Sequence, residues 1–93
     1  MIYYGIRIII NDSCYYASNI NVLPIINQTY CDMTSYAWAA RIWITEDDAN
    51  EDMKLLTEWL LGIKGLRKVE IVNLDEIGKY DLGLTRLKNI IRI

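Results

Sequence analysis

Apolar and polar positions alternate from the start of the chain. Ile2, Tyr4, Ile6, Ile8 and Ile10 fall on one side, and Tyr3, Gly5, Arg7 and Ile9 on the other. That two-residue period, with its β-branched and aromatic enrichment, predicts a strand. Asn11-Asp12-Ser13 is a turn cluster, and Cys14 to Ile20 is the returning strand of a hairpin. A three-residue turn sets Ile10 opposite Cys14, Ile8 opposite Tyr16 and Tyr4 opposite Ile20 on one face. Ile9 then meets Tyr15, and Arg7 meets Ala17, on the reverse. A two-residue turn slips that register by one and reverses the faces of the second strand.

Leu23 to Ser35 is the least regular stretch. Pro24 holds its predecessor extended, and Asn27-Gln28-Thr29 and Asp32 are loop chemistry. Ile25, Ile26, Tyr30 and Met33 give this segment reason to pack down, and loops of such length often carry function. Tyr36 to Ile44 alternates again, with Tyr36, Trp38, Ala40, Ile42 and Ile44 on one side and Ala37, Ala39, Arg41 and Trp43 on the other. This predicts a third strand. Thr45 stands at an N-cap position ahead of Glu46, Asp47 and Asp48, whose charge suits the positive end of a helix. The helix is expected over residues 46–61. Ala49, Met53, Leu56 and Leu60 form its apolar stripe, widened by Leu55 and Trp59, and Gly62 or Gly65 supplies a left-handed cap. Arg67 to Leu74 predicts a fourth strand, with Val69 and Ile71 on one side and Lys68, Glu70, Val72 and Leu74 on the other. Strand, helix and strand read together as a right-handed βαβ unit. Beyond the breaks at Gly78 and Gly83, Leu84, Leu87, Ile90 and Ile91 have helical spacing. Residues 90–93 read equally as a short strand, and the helix is the favoured of the two.

The expected fold is therefore a single α+β domain over residues 1–93, a small two-layer sandwich with an N-terminal β-hairpin, a βαβ unit and a C-terminal helix. Over residues 36–74 this order resembles a ferredoxin-like or similar small fold, a likeness of architecture that carries no functional residue with it. Ninety-three residues are too few for two independent cores, and 53% hydrophobic with 24% charged residues is a globular composition. No apolar run approaches the ~20 residues that span a bilayer, and no signal-peptide pattern opens the chain. A cytoplasmic protein with no membrane partner is expected.

Charge is uneven. Residues 1–62 sum to −5 and residues 63–93 to +3, for a net −2. Such polarity orients an encounter with a partner, but it is too weak for direct nucleic-acid binding. Arg86, Lys88 and Arg92 likewise lack the interleaved aromatics of an RNA groove.

Candidate chemistry is sparse. Histidine is absent, which removes the commonest general base and zinc ligand. Cys14 and Cys31 match no zinc or redox spacing and read as two small buried thiols. Gly62-Ile63-Lys64-Gly65 follows a helix, whereas a phosphate loop opens one. Glu46, Asp47, Asp48, Glu51 and Asp52 place five carboxylates in seven positions. A Mg²⁺ site or an imitation of nucleic-acid phosphates competes there with a simpler reading, a solvated first turn. No catalytic residue, metal site or cofactor is expected.

The aromatics remain. Seven Tyr and three Trp with no Phe favour rings with a polar handle, which are enriched at interfaces. With one sheet face packed on the helix, Tyr3, Ile9, Tyr15, Trp43 and Val72 are expected together on the opposite face, beside Arg7 and Arg41, unless the 84–92 helix or the 23–35 loop covers it. The expectation is a non-enzymatic protein-binding factor, a homodimer, of the kind a virus or mobile element encodes as a small inhibitor that occludes a host protein. Tyr3, Ile9, Tyr15, Arg41 and Trp43 would form its contact surface, and Glu46, Asp47, Asp48, Glu51 and Asp52 would steer approach. The alternative is a regulatory small-molecule domain with an effector site at a dimer junction, lined by residues 23–35.

Overall fold

Ile6 and Ile8 are completely removed from water at the centre of the sheet, as the alternation of the first strand requires. The computed structural model describes residues 2–75. Four strands, β1 (Tyr4–Ile10), β2 (Ser13–Leu23), β3 (Gln28–Thr34) and β4 (Leu66–Asn73), form one sheet in the order β3-β2-β1-β4. Every neighbouring pair is antiparallel. Helices α1 (Glu46–Leu55) and α2 (Thr57–Leu61) carry the chain from β3 at one edge to β4 at the other. They cover a single face, which holds the core of Ile6, Ile8, Ala17, Cys31, Trp43, Ala49, Leu56 and Leu60. The architecture is thus α+β, an antiparallel sheet with two helices on one side.

The first turn takes the shorter form. Ile10 pairs with Ser13, Ile9 with Cys14, Ile8 with Tyr15 and Arg7 with Tyr16, so only Asn11 and Asp12 lie between the strands. Asn11 makes this possible by adopting a left-handed φ of 52°, which Asn tolerates better than most residues. Tyr15 consequently shares the helix side with Ile8, and Tyr16 moves to the reverse.

The βαβ expectation is corrected. Residues 36–44 make no strand: Ala37–Ala39 is one 3₁₀ turn, and only Trp43 bridges to Tyr4. The third strand lies earlier, at Gln28–Thr34, and no strands flank the helices as parallel neighbours. The physical reason is a split in the sheet. Past Tyr16, β2 leaves β1, and its register to β3 shifts between Ala17 and Asn19. Residues 41–43 enter the gap: Arg41 N–H donates to the Ala17 carbonyl at 2.8 Å, and Tyr4 and Trp43 exchange bonds of 2.8 and 2.9 Å. One short bridge satisfies backbone groups that the split would leave bare.

The helix begins as expected, with Thr45 Oγ1 accepting from Asp48 N–H at 3.1 Å. It breaks at Leu56, where the Thr57 hydroxyl donates to the Met53 carbonyl at 3.4 Å, a back-bond of the kind that bends helices. Leu55, expected in the apolar stripe, is exposed. The left-handed glycine is Gly65 (φ 85°), not the cap residue Gly62 (φ −81°). A side chain on Gly65 would meet Asn11 Oδ1 at 2.5 Å, so this glycine lets the loop close over the first turn. The expected C-terminal helix, with Gly78 and Gly83, lies outside the described residues.

Candidate functional site

The aromatic residues expected to share one open face are divided between two packed clusters. Trp43 is buried on the helix side, where its Nε1–H donates to Asp52 Oδ2 at 2.7 Å. Tyr15 packs against the same core. Tyr3 belongs to the reverse side, in a second cluster with Tyr16, Ala37, Ala40 and Leu74. Ile9 also lies on the reverse, half-buried between Cys14 and Lys68. Tyr3 and Trp43 are 8% and 5% exposed, so neither ring is available as an anchor. The three-residue turn and the strand at 36–44 generated that expected patch, and both give way to other geometry.

Arg41 is exposed and sits 5.2 Å from the centre of the Trp43 ring, a cation–π contact that closes the edge of the core. Arg7, expected among the rings, is tied instead to Glu70. Its Nε donates to Glu70 Oε1 at 2.7 Å and its Nη2 reaches the same oxygen, while Lys68 Nζ lies 2.7 Å from Glu70 Oε2. Lys68 and Arg7 together hold the Glu70 carboxyl below its usual range, and the bond to Glu70 raises the Arg7 pKa. This row across β1 and β4 satisfies both oxygens of one carboxylate with two cations and keeps a net charge of +1.

Glu46, Asp47, Asp48 and Glu51 are exposed along the start of α1. Asp52 differs, being half-buried and committed to Trp43. Among the described residues, no group of three or more Cys, Asp or Glu side chains converges on a common metal position. Cys31 is buried, and burial together with the nearby Asp32 charge pushes its thiol up to about 11. Cys14 is exposed.

What sequence reasoning missed is the far end of the β2–β3 hairpin. Beyond the split, residues 19–23 of β2 pair only with β3. The pair forms an arm braced at its middle, where Tyr30 pairs with Asn21 and packs against Trp59 with ring centres 6.4 Å apart. Its tip bares Val22, Leu23, Ile25 and Ile26, and Ile25 is 98% exposed. Asn27 closes the turn at φ 49°. A signal was present in the sequence: no charged residue occurs between Asp12 and Asp32, and Val22-Leu23-Pro24-Ile25-Ile26 sits at the middle of that stretch.

A second apolar surface lies at the opposite end. Met53, Thr57, Leu60, Leu61, Leu66 and Val69 line an open cleft of about 180 Å³ between the helices and β4. The segment 23–35, expected to line a ligand pocket, contributes nothing to it. Among the described residues no helix is long and apolar enough to cross a membrane. Comparison with known protein families, curated proteins and solved structures gives no match.

Proposed function

We propose that this chain is a non-enzymatic protein-binding module whose contact surface is the β2–β3 arm. One observation carries the reading. Val22, Leu23, Ile25 and Ile26 stand together in water at the tip of a hairpin whose residues 13–31 carry no charge. A scattered exposed aliphatic residue needs no explanation, whereas four at one protruding tip form a patch that monomers seldom leave bare. The split supports the same reading, because it frees the distal arm from β1 and so lets it reach a partner. Two classes of protein fit such a tip, a second copy of this chain and a foreign protein such as one from a host. A small-molecule role is less well supported, since the described cleft of about 180 Å³ is smaller than the roughly 300–1,000 Å³ usual for ligand sites.

The test is a photo-crosslinking residue placed at Ile25 and, as a control, at the exposed Glu51, with the full chain expressed in its native cells. Protein adducts from position 25 and few from position 51 are expected. Equal yields from both positions, or none from 25, would remove the arm from consideration.

A further inference from the structure

We propose that the receptor for the arm tip is the cleft between the helices and β4 on a second copy of this chain, giving a reciprocal two-fold dimer. This inference rests on the arm being the contact surface. Three observations lead to it.

The first is size and character. The cleft holds about 180 Å³ and is lined by Met53, Thr57, Leu60, Leu61, Leu66 and Val69. A cavity of ~150 Å³ accepts a benzene ring, so this one accepts a branched aliphatic side chain such as Ile25, with part of Leu23 or Ile26 at its mouth. The second is charge. Neither the tip nor the cleft lining contains an ionised group, so no ion loses its hydration when they meet.

The third observation is placement, which keeps the tip away from the cleft of its own chain. β2 runs back past Tyr4, carrying the tip beyond the end of β1 at which Tyr4 pairs with Asn73. The cleft lies toward the other end, where Leu66 pairs with Ile10. Knob and socket are therefore separated by roughly the length of the sheet, on the order of 30 Å. Two copies laid side by side in opposite directions bring each tip to the other's cleft, and a single two-fold axis satisfies both contacts and closes the assembly.

The area is modest. Four side chains about two-thirds exposed, two tips and two clefts together remove on the order of 1,000 Å² from water, the low end for specific complexes. A weak dimer in exchange with monomer is expected at that size.

Sedimentation equilibrium of the full chain, from roughly 5 to 500 μM, is expected to show monomer and dimer. Ile25→Asp alters the tip and Leu61→Asp the rim of the cleft. Both positions are exposed, at 98% and 77%, and each variant should keep the parent far-ultraviolet circular dichroism and melting temperature. Each alone should raise the dissociation constant at least tenfold. Mixed in equal amounts they should associate more tightly than either alone, since the mixed dimer retains one contact between an unaltered tip and an unaltered cleft. A parent chain that stays monomeric, a dimer indifferent to either substitution, or a mixture no tighter than its components overturns the proposal. Crosslinks from position 25 to a foreign protein alone, with the chain monomeric, would discard the second copy and leave the arm's binding role standing.

Discussion

Trp43 offers the sharpest separation between a structural ring and an adhesive one. It is 5% exposed, belongs to the core of Ile6, Ile8, Leu56 and Leu60, and exchanges two backbone bonds with Tyr4. Truncation to alanine removes a large buried side chain and leaves a void that Ala17 and Ala49, already small, cannot fill. Comparable truncations lose about 3–5 kcal/mol. A domain of this size has about 5–14 kcal/mol in total. At roughly 4–8 °C per kcal/mol, the melting temperature of Trp43→Ala should fall by about 12–40 °C. Trp43→Phe keeps most of the ring but deletes the donor to Asp52, a bond to a charged acceptor worth about 1.5 kcal/mol at a half-buried site. Urea unfolding followed by far-ultraviolet circular dichroism measures both, independently of the fluorescence lost with the indole. Pairing Trp43→Phe with Asp52→Asn completes a double-mutant cycle, and the two losses should sum to more than the loss in the double variant. If Trp43→Ala stays within about 1 kcal/mol of the parent, the ring is not part of the core and the packing argument is wrong.

Two further outcomes follow from titrating groups. Cys31 is buried with its thiol near 11, and Cys14 is exposed. A disulfide reagent at pH 7.5 should therefore modify one thiol per chain at once and the second only in denaturant, and rapid loss of both would contradict the burial of Cys31. The Glu70 carboxyl is held below its usual range by Lys68 and Arg7, so its contribution to stability is complete above the ordinary carboxylate pKa and disappears as pH falls through the depressed value. Glu70→Gln should be less stable than the parent at pH 7, by no more than about 1 kcal/mol for a partly exposed pair, and the difference should close as the Glu70 carboxylate is protonated in acid. A gap that persists unchanged throughout the acid titration would assign the effect to packing.

Much of the architecture could be read from local pattern. The alternation through β1, the Thr45 cap with its acidic turn, the stripe of Ala49, Leu56 and Leu60 and the faces of β4 are each set by neighbours in sequence. Residues 28–34 and 36–44 exchange roles for a reason local pattern does not contain. Tyr36, Trp38, Ala40, Ile42 and Ile44 alternate like a strand, but the segment is divided between a 3₁₀ turn and a single bridge because the sheet splits at Tyr16. Gln28-Thr29-Tyr30-Cys31 carries strand-forming residues of its own, masked by the turn chemistry of Pro24 and Asn27 beside it. The aromatic patch failed with that exchange, and with a hairpin turn one residue shorter than expected. The arm tip was legible in principle, as five apolar or proline residues centred in a charge-free stretch, although only the structure shows that they do not fold inward.

The order of the strands also constrains how the molecule is made. β1 receives β2 as soon as the first turn forms, but its other edge waits for β4, where Ile10 meets Leu66 and Tyr4 meets Asn73. During synthesis, an isoleucine-rich strand therefore emerges with half of its hydrogen-bonding groups open until most of the chain has left the ribosome. A bare edge of that composition is a template for other nascent chains. Closing the sheet is a long-range event, slow relative to hairpin formation. A chain shortened ahead of Leu66 never seals that edge and joins its neighbours through it.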